Sequence, residues 1–163
     1  MINKKLIAKI NFKHPAVWLA TWGGCGLMQP APGTWGTVGA LPFGVILLVT
    51  GGWPALLAAT IVVFIVGLWA AREFDAMTGE HDCSSIVIDE VAGMFIALMA
   101  AKAAGLSILI AFFLFRAFDV IKPWPISWCD KKLPGAWGVM MDDVVAGIFA
   151  AACLWGLQHY AGL

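Results

Sequence analysis

The chain has 163 residues, 61% of them hydrophobic and 12% charged, with ten basic against ten acidic side chains and no net charge. A mean hydropathy of +0.88 lies far outside the range of an average soluble domain, and a pI near 6.8 leaves no basic footprint for a nucleic-acid partner. The length fits a single domain, residues 1–163.

The N-terminal stretch MINKKLIAKINFKHPAVWLA spreads Lys4, Lys5, Lys9 and Lys13 through its first half and sets Asn11 and His14 among them. That is unlike a secretory signal, which follows a basic start with a sustained apolar core and a small-residue cleavage site. It reads as a basic amphipathic lead-in lying at a membrane surface, with a solvated terminal helix as the alternative. Next comes QPAPGTWGTVGALP, residues 29–42, a Gly-rich turn leading into a helix. Its backbone N–H groups and the hydroxyls of Thr34 and Thr37 could hold a phosphate at a helix N-terminus. It lacks the GxxxxGK[ST] pattern of a nucleotide loop, and a plain loop–helix junction would explain it equally well.

The segments TVGALPFGVILLVT (37–50) and PALLAATIVVFIVGLWAA (54–71), split by Gly51, Gly52, Trp53 and Pro54, predict a helical hairpin. The second limb has the length of a spanning helix. The first is short, and Pro42 predicts a kink, a tilt or partial re-entry unless residues around Thr34 extend it. A second hairpin is predicted from VAGMFIALMAA (91–101) and LSILIAFFLFRAFDV (106–120), and a last helix from VVAGIFAACLWGLQHY (144–160). Period-2 alternation is weak throughout, while small and β-branched residues mingle as in packed membrane helices. The expected fold is all-α, an integral-membrane helical bundle of about five helical segments with its catalytic loops gathered on one face. A soluble, unusually apolar bundle is the alternative.

If each hairpin crosses and returns, residues 1–36, 72–90 and 122–143 share one side of the membrane. That side receives Lys4, Lys5, Lys9, Lys13, Arg72, Lys122, Lys131 and Lys132, with Arg116 close by, and only Lys102 falls opposite. The positive-inside rule makes the first side cytoplasmic. The same parity gathers all ten acids on or near that face.

Two adjacent acid pairs stand out: SIVIDEVAGMFIA (85–97) carries Asp89 and Glu90, and GVMMDDVVAGIF (138–149) carries Asp142 and Asp143. DEVAG and DDVVAG form an imperfect repeat, each read as acids opening a small-residue helix, where Ala92, Gly93, Ala146 and Gly147 would permit close approach. One acid suffices to cap a helix, so the second each time asks for another role. Four carboxylates in one cavity repel each other and call for a cation, and hard oxygen ligands suit Mg²⁺ or Mn²⁺. Capping with lysine pairing is the plainer alternative. The polar insertion DAMTGEHDCSS (75–85) could add Asp82 to the cluster, with Asp75, Glu80 and His81 facing water.

FRAFDVIKPWPI (115–126) supplies the opposite charge. Arg116, Asp119 and Lys122 recur every three residues on one flank of a helix that Pro123 and Pro125 then stop. They read as a phosphate clamp, Arg as a planar fork and Lys as a point charge, unless Arg116 is simply paired with Asp119. Cys25, Cys83, Cys129 and Cys153 show no CxxC spacing and read as small apolar fillers, and His14, His81 and His159 form no zinc pattern. After none of the four cysteines does an Arg stand six positions on, the spacing of a cysteine phosphatase. The acids are adjacent rather than arranged as DxD, and only two Arg exist to flank a nucleophilic histidine.

Taken in order, PGTWGTVGALP (32–42), IVIDEVAGM (86–94), FRAFDVIKPWPI (115–126) and GVMMDDVVAGI (138–148) resemble the phosphatidylglycerophosphatase A family. The resemblance implies a Mg²⁺-dependent helical enzyme of the bacterial inner membrane, which removes the terminal phosphate of phosphatidylglycerophosphate to give phosphatidylglycerol. Its active site would face the cytoplasm, its partners would be the phospholipid substrate and membrane lipids, and no obligate protein partner is implied. Residue by residue, Asp89, Glu90, Asp142 and Asp143 are expected to hold metal, while Thr34, Thr37, Arg116 and Lys122 position the phosphate. Asp119 or an Asp of the cluster would orient the attacking water, and a covalent aspartyl-phosphate stays open. The rival class is a small membrane transporter or channel using intramembrane Asp, Arg and Lys, which would spread those charges along the membrane depth.

Overall fold

The computed structural model describes residues 4–79 and 83–160. Glu80, His81 and Asp82, and with them the expectation that Asp82 joins the acid cluster, lie outside the described residues. In chain order the elements are α1 (Lys4–Ile7), α2 (Pro15–Ala20), a 3₁₀ turn (Cys25–Leu27), α3 (Pro32–Thr78), α4 (Ile88–Leu98), α5 (Gly105–Ile121), α6 (Ile126–Lys132) and α7 (Ala136–Tyr160). No strand occurs among the described residues.

The predicted first hairpin is α3. Helical geometry breaks inside it at Gly52, whose φ of 63° and ψ of −159° belong to a region open essentially to glycine alone. Pro54 then sits where a missing N–H costs nothing, just inside the second limb. The limbs return alongside each other, since Gly36 of the first packs on Val87 and Gly67 of the second packs on Ile88. The first limb is longer than its apolar run suggested. It starts at Pro32 and passes through Pro42 with no further break, so the residues around Thr34 do extend it. With α3 counted as two limbs, α4, α5 and α7 complete five long helical segments. The short α1, α2 and α6 collect at one end.

That end is knitted by one apolar cluster, in which Leu6, Ile10 and Val17 meet Phe74 of α3, Ile88 of α4 and Met140 of α7. A second cluster fills the bundle with Leu56, Met94, Leu98, Phe115, Ala150 and Leu154. The N-terminal segment is therefore packed onto the protein through its apolar side, with Lys9 Nζ donating to the Thr78 carbonyl at 3.2 Å. Asp75 is half-buried in the last turns of α3 rather than turned to water.

Outside, the molecule is apolar. Phe43, Ile46, Val49, Ile61 and Ile65 of α3, with Phe113 of α5, are all more than half exposed. α3 and α7 are long and apolar enough to cross a membrane, yet only 28% and 44% of their most apolar stretches are buried within the protein. The core helix of a soluble bundle hides its apolar residues. Here they face outward, and the fold is a membrane bundle.

The close approach anticipated from the small residues occurs between α4 and α7, which run in the same direction. A Cβ on Gly93 would lie 2.7 Å from the Asp143 carbonyl oxygen and collide with the Phe115 ring, and one on Gly147 would overlap the Gly93 carbonyl. Gly105, at the start of α5, faces open space. Gly93→Ala and Gly147→Ala should each cost about 1–3 kcal/mol through forced separation of the helices. Gly105→Ala should be neutral or slightly stabilising. Thermal unfolding in one detergent checks the contrast, and equal behaviour of all three variants would overturn the backbone contact.

Candidate active site

An open cleft of about 370 Å³ lies at the end of the bundle where the short helices gather. Its walls carry Asp89 and Glu90 from the first turn of α4, and Arg116, Asp119, Val120 and Lys122 from the end of α5. Asp142 and Asp143 of α7 and the start of α3 close it. The five candidate acids among the described residues and both candidate cations thus line one space.

The acids are not equivalent. One carboxylate oxygen each from Asp89, Glu90 and Asp143 lie within 4.8 Å of one another. Glu90 Oε2 and Asp143 Oδ1 are buried without a hydrogen-bond partner, which a carboxylate tolerates poorly unless a cation completes it. Three hard oxygen ligands, two of them on carboxylates that keep an unpartnered oxygen, can hold a divalent ion of the Mg²⁺ type. Asp142 turns elsewhere: its Oδ2 accepts from Lys122 Nζ at 2.7 Å, and its Oδ1 accepts from the Asp143 backbone N–H at 2.9 Å. Asp89 Oδ1 likewise accepts from the Glu90 N–H at 3.0 Å.

The position of the second acid pair corrects the sequence reading. Asp89 and Glu90 do open a helix, but Asp142 and Asp143 lie in the interior of α7, two turns after its start at Ala136. Capping cannot account for them. The repeat therefore aligns on its glycines, with Asp89 and Asp143 each four residues before Gly93 and Gly147.

Arg116 and Lys122 are held by different acids. Arg116 Nη1 pairs with Asp119 at 2.5 Å, lies 3.8 Å from Glu90 Oε1 and donates to Thr37 Oγ1 at 3.3 Å. The pairing with Asp119 and the placement in the cleft hold together. Thr37 in turn donates to the Gly33 carbonyl at 2.8 Å, so it acts on the cleft through Arg116. Thr34 is half-buried in the first turn of α3 and does not line the cleft. Lys122 ends α5 in the left-handed conformation, with φ of 47°, uncommon for a residue with a side chain. Its ammonium is fixed between Asp142 and Asp130, the latter at 2.8 Å. Burial works against its charge, but these two carboxylates outweigh that and hold its pKa above the usual lysine range.

Two contributors escaped the sequence reading. Gly33 leaves room for Glu90, whose Oε1 a Cβ there would overlap. Asp130, in ISWCDKK, reads as an ordinary surface acid beside two lysines, and only the return of α6 towards α5 brings it to Lys122.

A helical membrane bundle that gathers acids and fixed cations around a cleft at one end has the equipment of a hydrolase acting on an anionic lipid headgroup. The family model of phosphatidylglycerophosphatase A matches residues 18–158. Phosphatidylglycerophosphatase A of Haemophilus influenzae is 40% identical, covering 98% of this chain and 99% of its own. The Escherichia coli protein of the same name is 35% identical over 96% and 92%. A Bacteroides thetaiotaomicron protein provisionally named phosphatidylinositol-3-phosphatase is 37% identical over 82% and 87%. No solved structure matches. The chain belongs to the phosphatidylglycerophosphatase A family, and it is a phosphoric monoester hydrolase.

Removing the ammonium with Lys122→Met leaves Asp142 a nearly buried carboxylate without its cation. The expected cost is about 1–3 kcal/mol of stability, together with loss of activity. Adding Asp142→Leu should restore the stability and none of the activity. Thermal unfolding and phosphate release measured on both variants check this, and recovery of turnover in the double variant would remove Lys122 from the site.

Proposed function

We propose that the chain hydrolyses the terminal phosphate of phosphatidylglycerophosphate to phosphatidylglycerol, with Mg²⁺, from the cytoplasmic side of the bacterial inner membrane. The observation that carries the reading is the imbalance of charge in the cleft. Among the described residues, five carboxyl groups share the cleft with two basic side chains, so they cannot all ionise without a further cation, yet the substrate's phosphomonoester is itself an anion. A divalent cation on Asp89, Glu90 and Asp143 reconciles the two.

When bound, that ion supplies Lewis acidity, drawing charge from the phosphoryl oxygens as the transition state develops. The chain's own groups do the rest. Arg116, steadied by Asp119 and Thr37, offers a planar pair of donors to the phosphate. Lys122, steadied by Asp130 and Asp142, offers a second positive charge across the cleft. Asp119 is the acid not taken up by the metal set or by Lys122, which suits it to orient the attacking water and take its proton. The water oxygen bonds to phosphorus, the bond from phosphorus to the glycerol oxygen breaks, and that oxygen takes up a proton from solvent while Asp119 releases to solvent the one it accepted. Positioning and electrostatics of this kind supply most of phosphoryl-transfer catalysis.

The transporter reading is disfavoured because α3 has no charged residue before Arg72 and the acids and cations gather at one end. The relatives' names share a lipid phosphomonoester and differ in headgroup, so the decisive assay is phosphate release from pure phosphatidylglycerophosphate in mixed micelles. Chelator should abolish release and Mg²⁺ should restore it. Asp89→Asn and Asp143→Asn should each lower the rate about 100-fold or more while thermal stability is kept, since about 1.4 kcal/mol of transition-state stabilisation is tenfold. Full turnover in excess EDTA with negligible bound metal would sink the metal assignment.

The cytoplasmic placement rests on the lysine asymmetry. In a cysteine-free background, Lys131→Cys should resist an impermeant maleimide in sealed cells and react after permeabilisation, while Lys102→Cys reacts in both. The reverse pattern would invert the topology.

A further inference from the structure

Among the large apolar side chains that line the cleft, Ile86 and Val139 are buried, whereas Val120 is 70% exposed. Val120 therefore belongs both to the cleft and to the outer surface. The apolar surface continues from it along the chain: Ile121 is 74% exposed, Trp124 78% and Trp128 52%. These residues cover the outer side of the strap that leads from α5 through Pro123 and Pro125 into α6. The inner side of the same strap is anchored by buried Ile126 and Cys129 and by Asp130, which holds Lys122. Next to the exposed tryptophans, Lys131 and Lys132 are exposed in the last turn of α6. Tryptophan rings beside lysines are the composition of a surface seated at the headgroup level of a bilayer, and the lysines complement anionic lipid.

We infer that the Val120–Trp128 strap is the ramp by which the anionic lipid substrate reaches the cleft, its glycerol passing Val120 and its acyl chains, beyond their first few carbons, lying on Ile121, Trp124 and Trp128 while its terminal phosphate reaches Arg116 and Lys122. This rests on the lipid phosphatase reading above. It adds the direction of approach and a determinant of specificity, namely that the strap recognises the part of the molecule that is not hydrolysed. Lys131 and Lys132 hold the lipid's phosphodiester or its anionic neighbours, and none of the strap's exposed side chains takes part in chemistry.

The test compares the Trp124→Ser/Trp128→Ser double variant with the unaltered protein on two substrates. One is long-chain phosphatidylglycerophosphate in phosphatidylethanolamine–phosphatidylglycerol vesicles, and the other is its dibutyroyl analogue in free solution. The ramp predicts that kcat/KM on the long-chain substrate falls about tenfold, the equivalent of about 1.4 kcal/mol, while the short-chain value stays within about twofold. An equal fall on both substrates would mean that the tryptophans only support the fold, and no fall on either would mean that lipid arrives elsewhere. Both results overturn the ramp. A second measurement is independent of activity. A nitroxide on Trp124→Cys, in a cysteine-free protein reconstituted in the same vesicles, should collide with oxygen in preference to an aqueous nickel chelate. Preference for the chelate would overturn the ramp whatever the assays show. Absence of hydrolysis of either substrate by the unaltered protein would instead refute the phosphatase reading, with the nitroxide result still deciding where the strap lies.

Discussion

The contact between Gly93 of α4 and Gly147 of α7 is the constraint on which the site depends. With no side chain on either, the two backbones touch, and residues one turn earlier on each helix are brought face to face. Asp89 and Asp143 occupy those positions, and Glu90 follows Asp89 into the same space. Phe115 of α5 seats its ring against Gly93 as well, and that fixes the height of the next residue, Arg116. Thus one bare patch of backbone sets three acids and a cation in register. Widening it by the thickness of a methyl group would move both helices that carry the acids.

The sequence shows much of this because glycine, proline and apolar runs report on backbone geometry directly. The break at Gly52, the close approach at Ala92, Gly93, Ala146 and Gly147, and the end of α5 before Pro123 could all be read from residue type and spacing. The start of α7 could not. Charges interrupt a hydropathy run but not a helix, so the apolar segment seemed to begin at Val144 while the backbone had been helical since Ala136. The partition of the acids was hidden for a related reason. Asp142 and Asp143 point about 100° apart on a helix, and only the packing of α5, α6 and α7 decides that one meets Lys122 and the other meets Asp89. The same rotation separates Gly33 and Thr37, which share the face towards Glu90 and Arg116, from Thr34.

A membrane setting sharpens these choices. Ionised groups held beside lipid are costly unless each finds a partner, and every cation lining this cleft has found two or more. Arg116 is shared by Asp119 and Glu90, on α5 and α4, while Lys122 is shared by Asp130 and Asp142, on α6 and α7. The two arrangements draw on different helices and meet only through α5, which carries both cations. Each ion pair is therefore also a tie between elements whose apolar outer faces offer little attraction for one another within lipid.

The left-handed backbone at Lys122 follows from this division. Continuing α5 helically beyond Ile121 would carry the chain onward along the helix axis. A turn at Lys122 instead leads the chain through Pro123 and Pro125 into α6, with the ammonium held by Asp130 of α6 and Asp142 of α7. The conformation is unfavourable for a residue with a Cβ and persists because two carboxylates hold the side chain from opposite elements. The turn also leaves the strap's other face apolar and exposed, at the one rim of the cleft where Val120 reaches it. The geometry that fixes a cation for phosphate and the geometry that presents an apolar surface to lipid are thus two sides of one bend in the chain. For a headgroup enzyme whose substrate is half salt and half hydrocarbon, that bend is where the two requirements meet.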